Sequence, residues 1–279
     1  MATRVIILAQ GTQSRLGTLP VAKQLLELPA CGDTPIMHRT IRQLTRLSWP
    51  VPPGERQFLD GHDIVTVVCW LSMSEELVRR GVRAEYPANP ATRYYPDTMT
   101  LKEPGNSSLK GIDQALRQLH DQAPRDVHGS VRRRPDRTVV LLGDVVYSWA
   151  CLRAILDVGP PHCMRFVGTS DLSRSGGELW GLSWTWEGES EMLETLARAL
   201  TKHPPFDDTY QPGQLRRWLW EVGARRFEVA DEAAELRQRP WWTPIDDYTK
   251  DIDTPADLPK IPALSEAAQR DDAREGMTW

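Results

Sequence analysis

The hydrophobic pattern of the chain alternates between short apolar runs and stretches with helical spacing. The runs RVIILA (residues 4–9) and TVVLLGD (138–144) are almost continuously apolar, as expected for strands that are buried on both faces. DIVTVVCWL (63–71) has the same character. Residues 34–47 and 106–120 instead place apolar side chains at helical intervals. Strands that alternate with helices predict an α/β fold, Rossmann-like and doubly wound, with a mostly parallel mixed sheet flanked by helices.

The second half of the chain continues this alternation. Further elements are predicted as helices over 147–156, 191–200 and 214–223 and as strands over 164–169, 178–186 and 226–231. The last fifteen residues, SEAAQRDDAREGMTW, are polar and charged, and we predict a flexible tail there. The sequence therefore predicts a single domain over residues 1–264 and a flexible tail over 265–279.

Composition and charge narrow the classes of function. The net charge of −4 argues against a nucleic-acid partner. The N-terminus leads directly into a strand and no apolar run approaches transmembrane length, so we expect no membrane partner and a cytoplasmic location. The four cysteines form no CxxC pair, which disfavours a zinc site or a disulfide framework. An oligomer is possible, but the sequence does not define one.

The loop after the first apolar run has the composition of a polyphosphate site. The run ends at Ala9 and is followed by Gln10, then by GTQSRLG (11–17) and by Lys23. Glycines allow close approach of the backbone, and Arg15 and Lys23 supply positive charge. The loop matches neither GxxxxGK[ST] nor GxGxxG. The loop therefore predicts a phosphate-binding site that uses neither of these two motifs.

Two aspartates complete the candidate chemistry. Asp144 ends the second apolar strand, and ligands of such sheets bind beyond the carboxyl ends of the strands. Asp253 lies in DIDTPADL (251–258), where Thr254 as N-cap and Pro255 as first helical residue predict a helix start. Each also has a structural alternative, since Asp144 could cap the helix predicted to begin near Tyr147 and the segment 251–258 could serve only as a helix start.

These three elements, in this order, resemble the nucleotidylyltransferases, and among them the sugar-phosphate nucleotidylyltransferases. The opening motif of that family is a strand, a Gly-rich loop with Arg, and then Pro-Lys, and many members carry DxDTPEDL near the end. This chain departs from it at Gln13, where a second glycine is usual, and at Ala22, where Pro is usual. The resemblance implies a nucleotide-diphospho-sugar transferase-like (GT-A-like) fold.

The resemblance also implies roles for individual residues. Arg15, Lys23 and Asp144 are the implied catalytic residues, and Asp144 and Asp253 the implied ligands of Mg²⁺, with Asp251 a weaker candidate behind them. Hard carboxylate oxygens suit this cation. The predicted nucleotide contacts are Ala9, Gln10, Gly11, Thr12, Gln24, Asn106, Ser107 and Ser108. The predicted substrate contacts are Gly177 and Glu178.

Some of these contacts have alternative explanations. Residues 106–108 also make a complete helix N-cap, and Glu178 can equally be a charge at a strand edge.

The predicted reaction is Mg²⁺-dependent transfer of a nucleoside monophosphate from an NTP to a sugar phosphate or similar phosphorylated acceptor, with release of pyrophosphate. One alternative is a GT-A-type glycosyltransferase that uses a nucleotide sugar. Another is a nucleotide-binding module without catalysis. The nucleobase and the acceptor remain open.

Overall fold

The structure is a computed structural model. The described residues are 3–9, 22–48, 58–59, 64–69, 97–100, 112–113, 116–117, 135–158, 163–171, 177–201, 218–219, 222 and 241–279. Among them, no helix has both the length and the apolar composition needed to cross a membrane.

The described strands form one large sheet and two short ribbons. Their bounds are β1 Thr3–Leu8, β2 Glu27–Leu28, β3 Thr34–Pro35, β4 Ile64–Cys69, β5 Asp97–Thr100, β6 Arg137–Leu142, β7 Val145–Val146, β8 Met164–Gly168, β9 Leu179–Thr185, β10 Trp242–Pro244 and β11 Lys250–Asp251. The large sheet has seven strands in the order β10-β8-β9-β6-β1-β4-β5. Only β9 runs antiparallel to its neighbours among the described strands of this sheet. The prediction of a mixed, mostly parallel sheet is confirmed.

Four α-helices have defined bounds in the described part of the chain. Their bounds are α1 Ile36–Leu47, α2 Trp149–Leu156, α3 Trp186–Thr201 and α4 Ile261–Arg274. α1 begins two residues later than predicted because Thr34 and Pro35 pair with β2. α2 begins after Ser148, whose side-chain oxygen accepts the backbone N–H of Cys151 at 2.9 Å. Such a cap satisfies one of the free N–H groups of the first turn.

Strand β1 lies in the middle of the sheet and is buried on both faces. Val5 and Ile7 pack into the core under α1 and α2, whereas Ile6 and Leu8 pack into the core under α3. Side chains of a strand alternate between its two faces, so a strand covered on both sides must be apolar at every position. This explains the uninterrupted run that predicted the strand.

Several predicted elements lie wholly or partly outside the described residues. Within the predicted helix over 106–120, residues 112–113 and 116–117 are described and are helical. Within that over 214–223, residues 218–219 and 222 are described and are helical. The predicted strand over 226–231 lies outside the described part of the chain.

The prediction of a flexible tail over residues 265–279 is wrong. α4 crosses the predicted boundary at residue 264, and Ser265, Ala268 and Asp272 on this helix are fully buried. The helix has a narrow apolar face, so its sequence resembles that of a solvated segment. Its packing depends largely on polar side chains that bond to residues in distant parts of the chain. The single domain remains a prediction, but its boundary does not fall at residue 264.

A buried ion pair fixes α4 against the body of the protein. The guanidinium of Arg39 on α1 donates to both carboxylate oxygens of Asp272, at 2.7 and 2.8 Å, and both side chains are at most 1% exposed. The indole N–H groups of Trp149 and Trp279 donate to the same carboxylate at 2.9 and 3.1 Å. Arg39 also donates to the carbonyl of Tyr147 at 2.6 Å. A buried charge needs such a full set of partners to offset the loss of hydration.

We expect Asp272→Ala to lower the free energy of unfolding by about 3–5 kcal/mol, because it leaves the buried guanidinium of Arg39 without its counter-charge. The measurement is urea unfolding followed by circular dichroism. Glu266→Ala on the exposed face of the same helix is the matched control and should change stability by no more than about 0.5 kcal/mol. Equal midpoints for the two variants would contradict the assigned role of the ion pair.

Candidate functional site

The carboxyl ends of β1 and β6 meet at a close contact between two backbones. The N–H of Gly143 donates to the carbonyl of Leu8 at 2.8 Å. A Cβ at residue 143 would lie 3.0 Å from that carbonyl oxygen and 3.2 Å from the Cβ of Ala9. This approach favours glycine, and it places Asp144 beside the end of β1, where the polyphosphate loop was predicted to begin.

A second, short ribbon brings Asp253 to Asp144. β11 pairs antiparallel with β7, so that Asp251 lies opposite Val145. The N–H of Ile252 then donates to the carbonyl of Asp144 at 3.3 Å. The two aspartates that the sequence singled out are therefore neighbours, although more than a hundred residues separate them in the chain.

Lys23 joins these two carboxylates. It begins a single turn of 3₁₀ helix, Lys23–Leu25, and its Nζ contacts Oδ2 of Asp144 and lies 2.6 Å from Oδ1 of Asp253. The lysine side chain is only 10% exposed. Burial alone would lower the pKa of Lys23, but the charges of Asp144 and Asp253 outweigh it and raise this pKa above its usual value. The ammonium is therefore held in its charged form between two carboxylates.

Asp251 makes the site more acidic still. Burial is the largest cause that raises its pKa, to about 7, and the negative charges of Glu178, Asp253 and Asp144 add to the effect. The charge of Lys250, whose Nζ lies 3.5 Å from Oδ1 of Asp251, opposes this rise in pKa. Among the described residues, the site thus brings the carboxylates of Asp144, Asp251 and Asp253 close to the ammonium groups of Lys23 and Lys250.

Among the remaining described residues of the predicted site, Ala9 and Gln24 are buried. The side chain of Ala9 belongs to the core, which leaves only its backbone for a nucleotide. Gln24 is 1% exposed, and its Oε1 accepts no hydrogen bond from the described residues.

Of the predicted substrate contacts, Glu178 lies close enough to Asp251 for its negative charge to add to the effect of burial on the pKa of Asp251. Gly177 has a φ of 73°, which favours glycine, and the N–H of Glu178 donates to Oγ1 of Thr169 at 2.8 Å. The other predicted site residues, which lie outside the described residues, are Gln10, Gly11, Thr12, Arg15, Asn106, Ser107 and Ser108.

The helix predicted to start at Thr254 does not form there. Residues 254–257 make a turn in which Asp257 donates its N–H to the carbonyl of Thr254 at 2.9 Å. The carboxylate of Asp257 accepts the N–H and the hydroxyl of Thr254 at 3.0 and 2.8 Å, so the third residue after the cap holds the turn. A 3₁₀ turn over Leu258–Lys260 follows, and α4 begins only at Ile261. The capping residues are correctly placed, but they close a turn rather than open an α-helix.

A cavity next to the carboxylates was not predicted from the sequence. Its volume is about 460 Å³, and its described walls come from the residues just after β8, from residues 177–180 at the start of β9 and from residues 245–250. The lining includes the predicted Gly177 and Glu178. The signal that could have revealed it is the density of carboxylates after β10, where IDDYTKDID carries four aspartates in nine residues.

The arrangement of Asp144 and Asp253 fits a magnesium ion held jointly by protein and substrate. Oxygens of both carboxylates converge on the position of one cationic group, the ammonium of Lys23. Mg²⁺ is commonly bound by one or two carboxylates together with phosphate oxygens and water. Among the described residues, no group of three or more His, Cys, Asp and Glu side chains able to hold a metal occurs.

Comparison with solved structures identifies the fold. The inositol-1-phosphate CTP transferase of T. maritima aligns with a TM-score of 0.55 over 95% of this chain and 96% of its own, at 11% identity. The 4-diphosphocytidyl-2C-methyl-D-erythritol synthase of Anaerococcus prevotii gives 0.51 over 95% and 98%, at 8% identity. Rv0371c of Mycobacterium tuberculosis gives 0.50 over 94% and 97%, at 18% identity.

No protein-family model and no curated protein sequence matches the chain. The structural alignments nevertheless show a nucleotidyltransferase-like fold of the nucleotide-diphospho-sugar transferase type, which confirms the predicted fold.

The raised pKa of Asp251 predicts how stability depends on pH. In the unfolded chain this carboxyl should titrate near 3.9, so between about pH 4 and 7 the folded protein binds the extra proton. Its contribution therefore favours folding at low pH and is lost as the pH rises to about 7. From about pH 4 to about pH 7, the free energy of unfolding of the wild type should fall by up to about 4 kcal/mol more than that of Asp251→Asn.

The measurement is urea unfolding of both proteins at several pH values in EDTA. A difference between wild type and Asp251→Asn that stays constant from pH 4 to 8 would contradict the raised pKa.

Proposed function

We propose that the chain is a nucleotidylyltransferase that transfers a nucleoside monophosphate from an NTP to a phosphorylated small-molecule acceptor. The observation that carries the proposal is the convergence of Lys23, Asp144 and Asp253 at the carboxyl ends of β1 and β6. These are the residues that the family resemblance assigns to the reaction. The fold supports the proposal, since ligands of such sheets bind at this edge.

The proposed reaction requires little acid–base chemistry from the protein. An oxygen of the acceptor phosphate forms a bond to the α-phosphorus of the NTP, the bond between that phosphorus and the bridging oxygen breaks, and pyrophosphate leaves. The acceptor phosphate is already an anion, so no general base is needed. Catalysis then depends on positioning and on stabilisation of negative charge.

The residues of this chain supply both the positioning and the stabilisation of negative charge. Lys23 is fixed and charged, and its ammonium can exchange a carboxylate for a phosphate oxygen of the substrate. We assign Asp144 and Asp253 as the ligands of Mg²⁺, which, when bound, offsets the charge of the phosphates. Arg15 is the proposed partner of the leaving pyrophosphate, as the family resemblance implies.

Removal of one metal-binding carboxylate should act mainly on turnover. We expect Asp144→Asn to lower kcat by about 10²–10⁴-fold, because stabilisation of charge in the transition state is lost. The assay is release of pyrophosphate from an NTP in the presence of phosphorylated acceptors and Mg²⁺. Asp157→Asn is the matched control, because this residue ends α2 and pairs with Arg165 at 3.6 Å, and it should retain full activity. An active Asp144→Asn protein would refute the assignment.

Nucleotide binding can be tested independently of the acceptor. Thermal unfolding with CTP, UTP, dTTP, ATP and GTP, each with and without Mg²⁺, should show one NTP that stabilises the protein in a Mg²⁺-dependent manner. At 100 times its dissociation constant, this NTP should add about 2.7 kcal/mol to the free energy of unfolding. Stabilisation by a nucleotide sugar but by no NTP would favour the glycosyltransferase instead. Tight binding of an NTP without turnover across acceptors would favour a binding module.

A further inference from the structure

The hydroxyl of Tyr147 lies between the ends of two neighbouring strands of the large sheet. It accepts the backbone N–H of Leu142, the last residue of β6, at 2.7 Å. It donates to the backbone carbonyl of Trp180, near the start of β9, at 2.8 Å. Tyr147 is fully buried, and burial raises its pKa, so the hydroxyl keeps the proton that it donates to Trp180.

This hydroxyl continues the ladder between β6 and β9 at the point where direct pairing stops. The register of these antiparallel strands ends with Leu141 opposite Gly181. One step further, the same register would place Leu142 opposite Trp180, and these are the two residues that the phenol joins. Two hydrogen bonds in series span a greater distance than one direct bond. The phenol therefore sets a wider spacing between the two strands at this end.

The two strand ends carry different parts of the proposed site. β6 leads directly to Asp144, the proposed metal ligand, whereas β9 is preceded by Gly177 and Glu178, the predicted substrate contacts. Glu178 is joined to the residue after β8, because the N–H of Thr169 donates to its carbonyl at 2.9 Å and its own N–H donates to Oγ1 of Thr169 at 2.8 Å. The ends of β8 and β9 thus form one unit, and the phenol of Tyr147 joins this unit to the strand that carries Asp144.

The backbone of Tyr147 is fixed by the core of the protein. Its carbonyl accepts hydrogen bonds from the guanidinium of Arg39 at 2.6 Å and from the side-chain amide of Gln43 at 3.3 Å. Both of these α1 side chains are buried. An aromatic ring that is closely packed, held at its backbone and bonded at its hydroxyl has little freedom to move. Tyr147 is therefore suited to act as a rigid spacer.

Asp144 has further contacts that hold it independently of the phenol. Its carbonyl accepts the N–H of Ile252 at 3.3 Å, its carboxylate contacts Lys23, and the strand β7 that follows it pairs with β11. If the hydroxyl is removed, we therefore expect the end of β9 to move relative to Asp144 while Asp144 keeps its place.

We propose that Tyr147 is a positioning residue that sets the distance between the proposed metal site at Asp144 and the proposed acceptor contacts at Gly177 and Glu178. This inference rests on the proposed nucleotidyl transfer and adds a residue to it. Tyr147 takes no part in the bond changes and does not touch the substrates. It acts through the backbone of Leu142 and Trp180, and so places the acceptor phosphate within reach of the α-phosphorus of the NTP.

The test is Tyr147→Phe, which removes the hydroxyl and keeps the ring. We expect kcat/KM for the acceptor to fall by about 10–100-fold, because a misplacement of about 1 Å can cost about 10²-fold in rate. The affinity for the preferred NTP with Mg²⁺, measured by calorimetric titration, should change by less than about twofold, since only the acceptor side moves. Pyrophosphate release is followed with inositol 1-phosphate, glucose 1-phosphate and glycerol 3-phosphate, and the acceptor that the wild type uses best is compared.

Ser183→Ala is the matched control for loss of a buried hydroxyl. Ser183 lies in the middle of β9, is fully buried, and its hydroxyl donates to the carbonyl of Ile155. This variant should lose stability but keep both the acceptor kinetics and the NTP affinity of the wild type. Unchanged acceptor kinetics in Tyr147→Phe, or equal losses in the two variants, would overturn the inference and leave the proposed function intact.

The geometry can also be tested in the wild type without any substrate. In NMR spectra, the hydroxyl proton of Tyr147 should exchange slowly with water and show a cross-peak to the amide proton of Leu142. A rapidly exchanging hydroxyl would overturn the inference whether or not the protein transfers nucleotides. Absence of pyrophosphate release by the wild type with every NTP and acceptor would instead contradict the proposed function.

Discussion

The buried pair of Arg39 and Asp272 is the interaction on which the arrangement of the other elements depends. It joins α1 to α4, and through Trp149 it also holds the start of α2. The cost of burying the two charges is high, and it is offset because five donor groups around them are satisfied at short range. A hydrophobic contact would tolerate some sliding of α4, whereas this bidentate geometry defines its position.

The same network reaches the candidate site through Tyr248. The hydroxyl of Tyr248 donates to Asp271 on α4 at 2.6 Å and accepts a hydrogen bond from Arg39 at 3.2 Å. Tyr248 lies within the segment that supplies both the cavity wall and the ribbon strand β11. The backbone that carries the acidic side chains of this segment is therefore anchored to α1 and α4 through Tyr248.

The sequence predicted the parts of the fold and site that local patterns encode. Continuous apolar runs predicted β1 and β6, and their carboxyl ends correctly placed Asp144 beside the first strand end. The flexible tail was predicted wrongly because burial of Asp272 depends on a guanidinium far away in the chain, which no local pattern can show. For the same reason, Lys23 was expected to contact phosphate, and its contact with Asp144 and Asp253 was not foreseen. The cavity was also not predicted, because its described walls come from two segments that are far apart in the chain, residues 169–180 and 245–250.

The spacing of these partners along the chain has a consequence for folding during synthesis. Asp253, one of the partners of Lys23, is 230 residues further along the chain, and Asp272, the partner of Arg39, is 233 residues further along. Until the segment with Asp272 has left the ribosome, α1 carries an arginine that has no counter-charge to be buried with, and the acidic site lacks Asp253. Domains generally fold as units during translation. Here strand β1 is synthesised long before Asp253 and Asp272, the residues that complete its surroundings. A prematurely terminated product would leave Arg39 without the counter-charge that Asp272 supplies.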